Sequence, residues 1–182
     1  MSSTKILTDK KIAILLTDGF EKVEMTSPRD AFIKAGAKTF LISPNSTKVK
    51  SWQHDHWGKS FKVDINLKDA RPQDFDGLLL PGGVMNLDKL RIDKKAVNFV
   101  SYFLKHDKPI AAICHGPWTL VETGKIKGRK LTSYHSIKTD LINAGAKWTN
   151  KEVVLDNNLV TSRSPKDLPA FNKAAIKLYN KK

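Results

Sequence analysis

Short unbroken apolar runs alternate along the chain with longer stretches whose apolar positions recur every three or four residues. That alternation is the pattern of an α/β protein with a mainly parallel sheet. Residues 11–17 (Lys-Ile-Ala-Ile-Leu-Leu-Thr) read as a first buried strand, and residues 24–35 as a helix stopped by Gly36. Pro28 suits that helix only near its first turn. Residues 38–43 read as a second strand, ended by Pro44. Residues 45–71 read as a longer irregular region with short strands around 60–65. Residues 76–81 form another buried run, broken by Pro81-Gly82-Gly83. Residues 94–106 place Val97, Val100 and Leu104 at helical spacing. Residues 109–113 are the next buried strand. Helices follow over 118–123, closed by Gly124, and over 137–144, stopped by Gly145. Residues 152–156 and 159–161 flank Asn157-Asn158, a hairpin pattern. Residues 167–180 read as the last helix. No repeat or linker interrupts the series. The expected organisation is an N-terminal arm over residues 1–10 and one domain over 11–182.

Composition narrows the class. The chain has 182 residues, the length of one domain, with 40% hydrophobic and 27% charged residues, as in a globular protein. The single cysteine, Cys114, can form neither an internal disulfide nor a Cys-based zinc site. A secreted disulfide scaffold is excluded, and a reducing, cytoplasmic setting is expected. No apolar run approaches the roughly 20 residues of a membrane span, and the first ten residues lack the apolar core of a secretory signal. Lys and Arg number 32 against 18 Asp and Glu, a net charge of +14. Such a balance raises nucleic acid as a partner. The lysines, however, are spread along the chain, densest near Lys5, Lys10 and Lys11 and near Lys177, Lys181 and Lys182. No nucleic-acid-binding signature accompanies them. The charge therefore reads as a solvated lysine-rich surface.

The chemistry gathers where strands end. Cys114-His115-Gly116-Pro117 follows an all-apolar strand and precedes a helix. This puts Cys114 on a sharp strand-to-helix turn at the carboxyl edge of the sheet, where open α/β sheets bind ligands. The arrangement is that of a nucleophile elbow. A thiol at a helix N-terminus is expected to have a lowered pKa, and the His115 N–H can point at a developing oxyanion. Gly82-Gly83 ends the preceding strand at the same edge and can bring a second N–H close. Glu21 and Glu24 follow the first strand and, three apart, share a helical face. A carboxyl beside a thiol either accepts its proton or, kept protonated, donates to the thiolate.

With these residues stand Phe20-Glu-Lys-Val-Glu24, Leu80-Pro-Gly-Gly83, Ala112-Ile-Cys-His-Gly-Pro117, Gly128-Arg-Lys-Leu-Thr-Ser-Tyr134, Ile142-Asn-Ala-Gly145 and Thr161-Ser-Arg163. In this order they resemble the PfpI/ThiJ superfamily from about Lys11 to the C-terminus. The nearest group is the PfpI-type intracellular peptidases, also described as deglycases and general stress proteins. The resemblance implies a flavodoxin-like three-layer sandwich of the class I glutamine amidotransferase-like type, and a homodimer or hexamer. It implies Cys114 as nucleophile, His115 as its partner and Glu24 as the carboxylate touching the thiol. It also implies Gly83 and His115 as backbone oxyanion donors and Tyr134 near the pocket, with Glu21 beside it. In the PfpI branch an acidic residue from a neighbouring subunit orients the histidine; Asp88 occupies that position here, one methylene shorter than the usual Glu. The segment from Gly83 to Arg91 is one residue longer than in some members.

The remaining histidines carry less. His54 and His56 would share a face on a strand, but two ligands are too few for a usual metal site. No metal and no cofactor is expected. His106 reads as a helix C-terminal partner, and His135 as a pocket or loop residue. With the site residues, the resemblance implies a cysteine-dependent hydrolase of the PfpI type acting on glyoxal adducts of proteins or nucleotides, small-molecule or glycated-protein substrates. The alternatives are a peptidase of the same family and a non-enzymatic redox-stress sensor or holdase. A glutamine amidotransferase uses a similar elbow, but the His-x-Glu it needs further along is absent.

Overall fold

A computed structural model describes residues 5–181. In each central strand the side chains alternate between two apolar layers, as the two-residue period of a strand requires. In β1 (Lys11–Leu15), Ala13 and Leu15 face one layer while Ile12 and Ile14 face the other. In β7 (Gly77–Leu80), Leu78 and Leu80 oppose Leu79; in β8 (Ile110–Ile113), Ile110 and Ala112 oppose Ala111 and Ile113. A strand buried on both faces must be covered on both, which explains why these runs are apolar without interruption.

Among the described residues the cover comes from six helices. α1 (Lys22–Lys34) and α6 (Leu168–Tyr179) lie on one face. α2 (Val84–Ile92), α3 (Lys94–Lys105), α4 (Trp118–Glu122) and α5 (Lys138–Asn143) pack on the other. Strands β3 (Lys38–Ser43) and β6 (Ile65–Asn66) extend the sheet on one side, and β11 (Val153–Asp156) and β12 (Leu159–Ser162) on the other. The order is β11-β12-β8-β7-β1-β3-β6, parallel throughout except for the antiparallel β11–β12 hairpin. The fold is thus the flavodoxin-like three-layer sandwich expected from the motifs. Two short strands, β9 (Lys130–Leu131) and β10 (Lys147–Trp148), pair separately.

Three local expectations are corrected. In the region 45–71 the short strands expected around 60–65 are present as the end of β5 (His56–Lys62) and as β6, but the region is more ordered than expected: β4 (Lys48–Gln53) and β5 form a hairpin, and β4 pairs with β2 (Phe20–Glu21). The β5 pattern of exposed residues, with little apolar alternation, hid it. Helix α2 also went unread, because its buried side is only Asn86, Leu87 and Leu90. Helix α1 starts two residues early, so Pro28 lies in its interior and the Glu24 carbonyl loses the amide that position 28 would have donated. Within the expected arm, Leu7 is fully buried and its N–H bonds the Ala35 carbonyl at 2.8 Å. Residues 1–4 of the arm and Lys182 lie outside the described residues.

Among the described residues no helix is long and apolar enough to cross a membrane. Phe103 of α3 is fully buried between Phe99 and Tyr102, with ring centroids 5.5 and 6.3 Å away. Phe103→Ala is expected to lower stability by about 3–5 kcal/mol, the cost of a large core truncation, read from a urea denaturation midpoint.

Candidate active site

Three loops leave the carboxyl ends of β1, β7 and β8 and meet at one sheet edge. The chain changes direction there, since β3 lies on one side of β1 and β7 on the other. A crevice at such a switch point is the usual binding place of an open α/β sheet.

The loop after β8 carries Cys114 with φ of +61°, a left-handed backbone uncommon outside glycine. Both backbone groups of Cys114 are pinned. Its N–H donates to the Ser162 carbonyl at 3.0 Å, and its carbonyl accepts from the Tyr134 N–H at 2.8 Å. Cys114 is 8% exposed. This is the sharp turn expected, but the helix does not serve it as expected. α4 begins only at Trp118 and spans five residues, and the Gly116 and Trp118 N–H groups are already bonded to the Ile113 and His115 carbonyls. The donors that face the sulfur are instead the backbone N–H groups of His115 and Gly83.

The loop after β7 supplies the second of those donors. A Cβ on Gly82 would lie 2.2 Å from Glu24 Oε2 and 2.7 Å from Cys114 Cβ. Gly83, with φ of +97°, would place a Cβ 2.3 Å from the Gly19 carbonyl. The glycine pair is therefore more than a strand-ending turn: it lets backbone reach the sulfur and the carboxyl together. Buried Asn86 fastens this loop, donating from Nδ2 to the Pro81 and Gly82 carbonyls and accepting the Thr17 N–H at Oδ1 at 2.8 Å. Asn86 had no signal in the sequence, standing in an unread helix.

The loop after β1 runs through β2 into α1, whose first turn holds Glu24. Its carboxyl is fully buried. Oε2 accepts the Gly82 N–H at 2.9 Å, and the carboxyl lies beside the Cys114 thiol. Oε1 has no hydrogen-bond partner among the described residues. Burial, chiefly, pushes the Glu24 carboxyl up to about 8, so it holds a proton at neutral pH. Burial and any charge on Glu24 also push the Cys114 thiol well above its ordinary range, while the His115 and Gly83 N–H groups pull it down. Burial thus overrides the lowering expected from helix position. Each ionisation of the pair opposes the other.

His115 Nδ1 lies 3.3 Å from Cys114 Sγ, and its Nε2 lies 3.0 Å from Ser136 Oγ. Its ring stacks on Tyr134 at 4.9 Å. Burial and the nearby His135 lower it to about 4, so it is neutral at neutral pH. Within the chain Ser136, not Asp88, meets the outer ring nitrogen. Asp88 is exposed on α2 and does not line the cavity.

The cavity above the sulfur measures about 550 Å³ and includes Glu21 and Tyr134 as expected, with Val84, Met85 and Pro165 on its walls. It also includes Trp52 and His54 from the β4–β5 hairpin. His54 occupies the turn with φ of +58°, so it shares no strand face with His56, which meets Asp55 at 2.8 Å instead. His135 is exposed and faces a separate hollow beside Arg163 and Asp167. His106 caps α3, its Nδ1 2.9 Å from the Tyr102 carbonyl. Among the described residues no three His, Cys, Asp or Glu side chains are grouped to hold a metal.

The model of the DJ-1/PfpI family matches residues 10–178. The chain belongs to the DJ-1/PfpI family. A Bacillus subtilis relative named "Putative cysteine protease YraA" is 44% identical over 169 residues, 93% of this chain and 98% of that one. An uncharacterised Staphylococcus aureus protein is 42% identical over 170 residues, 92% of this chain and 97% of that one. Among solved structures, Drosophila melanogaster DJ-1beta superposes with a TM-score of 0.84 at 30% identity, covering 94% of this chain and 91% of that one. A two-domain Anabaena variabilis protein with DJ-1/ThiJ/PfpI-like and ferritin-like domains gives 0.87 at 33% identity. The match covers 93% of this chain and 48% of that one, about half its length.

For this DJ-1/PfpI member the buried pair sets a pH signature. Glu24, ordinarily near 4.5, is raised to about 8 on folding, so its contribution to stability is complete below 4.5 and lost as pH rises through 8. His115, ordinarily near 6.5, is lowered to about 4, so its contribution is present above 6.5 and lost as pH falls through 4. Between pH 6.5 and 8 Glu24 acts alone. The wild type is expected to lose melting temperature across that window and Glu24→Gln to stay flatter, as read by thermal denaturation. Glu24→Gln is also expected to move the midpoint of pH-dependent Cys114 alkylation downward; an unmoved midpoint means the two groups do not touch.

Proposed function

We propose that the chain is a cysteine-dependent hydrolase that acts on glyoxal adducts of proteins or nucleotides. The observation that supports this best is the convergence on one sulfur of two backbone N–H groups and a protonated carboxyl. In this reading Cys114 is the nucleophile: its thiol proton passes to His115 Nδ1, 3.3 Å away, as the sulfur attacks the electrophilic carbon. The Gly83 and His115 N–H groups hold the oxygen that takes up negative charge. Glu24 delivers its proton to the departing amine and, then ionised, accepts a proton from the water that releases the carbon fragment, while His115, steadied by Ser136, returns its proton to the sulfur. Glu21 and Tyr134 contact the substrate. The open cavity of about 550 Å³ accommodates a modified side chain.

Peptidase activity is the second reading, favoured by the name of the Bacillus relative. Both use the same atoms, because the cavity rim rather than the elbow sets the substrate. In a homodimer or hexamer, Asp88 of a second copy would complete the histidine's surroundings. A monomer with full activity excludes that role.

A turnover panel of methylglyoxal, glycated peptides and unmodified peptides separates the readings. Wild type is expected to turn over the glyoxal-derived members, and Cys114→Ala to lose at least about a hundredfold, within the range typical of a removed nucleophile. Full turnover by Cys114→Ala defeats the cysteine-enzyme reading. Absent turnover with selective oxidation at Cys114 points to the sensor.

A further inference from the structure

The lysines look dispersed along the sequence, but the fold gathers several of them on one ridge. Lys173, Lys177 and Lys181, four apart on and just beyond α6, share one helix face. The other face buries Phe171, Ala175 and Leu178 against the sheet. Lys166 lies in the turn that leads into the helix. From Leu168 to the C-terminus the sequence has no Asp or Glu. The lysine face looks toward β11: Lys173 and Lys177 share a hollow with Lys151 and Val153. The adjoining face meets α1, where Asn172 donates to Ser27. Toward the cavity mouth Lys166 lines the next hollow with Arg163, beside the cavity-wall residue Pro165. At the far end Lys181 lines a third. Three acids stand along this line. Asp167 is buried and taken by Arg163. Glu152 shares the middle hollow and Asp107 the far one, where Lys108 turns away to the Gln73 and Phe75 carbonyls. Among the described residues no ion pair includes a lysine.

The ridge thus concentrates positive charge of which the fold makes no internal use. Like charges one helical turn apart repel each other, and a polyanion relieves that repulsion while releasing its own counterions. At 1.5 Å per residue the span from Lys166 to Lys181 is about 22 Å. That is the length of roughly six successive phosphates on one strand, at about 3.4 Å each. We propose that the outer face of α6, with Lys166 and Lys151 beside it, is a binding surface for nucleic acid that grips the phosphodiester backbone. Ala170 and Ala174 stand between the lysines, so this face offers no aromatic ring or side-chain amide to read bases. It holds the strand without regard to sequence. An anionic membrane is a poorer fit, because the same alanines are too small to enter lipid. The ridge lies outside the cavity, and its assignment does not depend on the hydrolase reading.

The test is the salt dependence of binding. A fluorescein-labelled DNA duplex of about 20 base pairs is titrated with the full chain and followed by anisotropy between about 50 and 200 mM salt. Four lysine–phosphate contacts give a slope of log affinity against log salt of about −3.6, so wild-type affinity is expected to fall about a hundredfold over that range. Lys173→Gln combined with Lys177→Gln is expected to make the slope shallower by about two. Lys94→Gln combined with Lys95→Gln removes the same charge from exposed positions at the start of α3, on the opposite layer, and is expected to leave the slope unchanged. A wild type that fails to bind at the lowest salt overturns the proposal. So does an equal loss in both double variants, which would trace binding to net charge alone. Polyglutamate of matched charge and phosphatidylserine vesicles serve as competitors. If either displaces the duplex at a lower concentration of charge than unlabelled duplex does, the nucleic-acid assignment is wrong. The wild-type slope and the competition decide without any variant.

Discussion

A thiol and a carboxyl buried side by side cannot both carry charge, and the architecture of this edge of the sheet follows from that constraint. Removing a carboxylate from water is costly unless it is paired. Glu24 avoids the cost by keeping its proton. To be useful to Cys114 it must still touch the sulfur, so three loops have to converge without intervening side chains. Gly82 meets this by having no Cβ, Gly83 by a left-handed backbone packed against Gly19, and Cys114 by its own strained turn. Asn86 then ties the β7 loop to the β1 loop, so that carboxyl and donors keep their places.

The same constraint governs His115. Buried against Tyr134 and close to His135, it stays neutral, with one ring nitrogen toward the sulfur and the other toward Ser136. The resting site is therefore nearly uncharged at its centre, although it belongs to a protein of net charge +14. The ion pairs among the described residues, such as Arg91–Glu122, Arg129–Asp156 and Arg163–Asp167, lie away from the sulfur.

How much of this was legible in the chain depended on whether the signal was local. The central strands could be read because burial on both faces demands unbroken apolar runs, and β1, β7 and β8 have them. Cys114, Glu24 and Gly83 could be placed at one edge because each follows such a strand. Ser136 and Asn86 could not: a single serine or asparagine acquires its meaning only from what the fold sets opposite it. Helix α2 and the β4–β5 hairpin escaped for a related reason, since their apolar faces are narrow and tertiary packing, not periodicity, holds them. The thiol's environment was misjudged because helix position was visible in sequence whereas depth of burial was not.

The β4–β5 hairpin has a further consequence. It joins the rest of the chain through a short parallel pairing, Phe20 with Ser51 and Glu21 with Trp52, and most of β5 is exposed. It nevertheless lends Trp52 and His54 to the cavity wall. The reactive cysteine and part of the cavity wall thus come from different pieces of the fold. Replacements at the exposed positions of β5, unlike those at buried Val49 and Ser51 of β4, escape most of the packing penalties that constrain the elbow. Substrate range can consequently drift among descendants of one ancestor while the cysteine machinery stays unchanged, which makes the hairpin the natural place for such proteins to diverge.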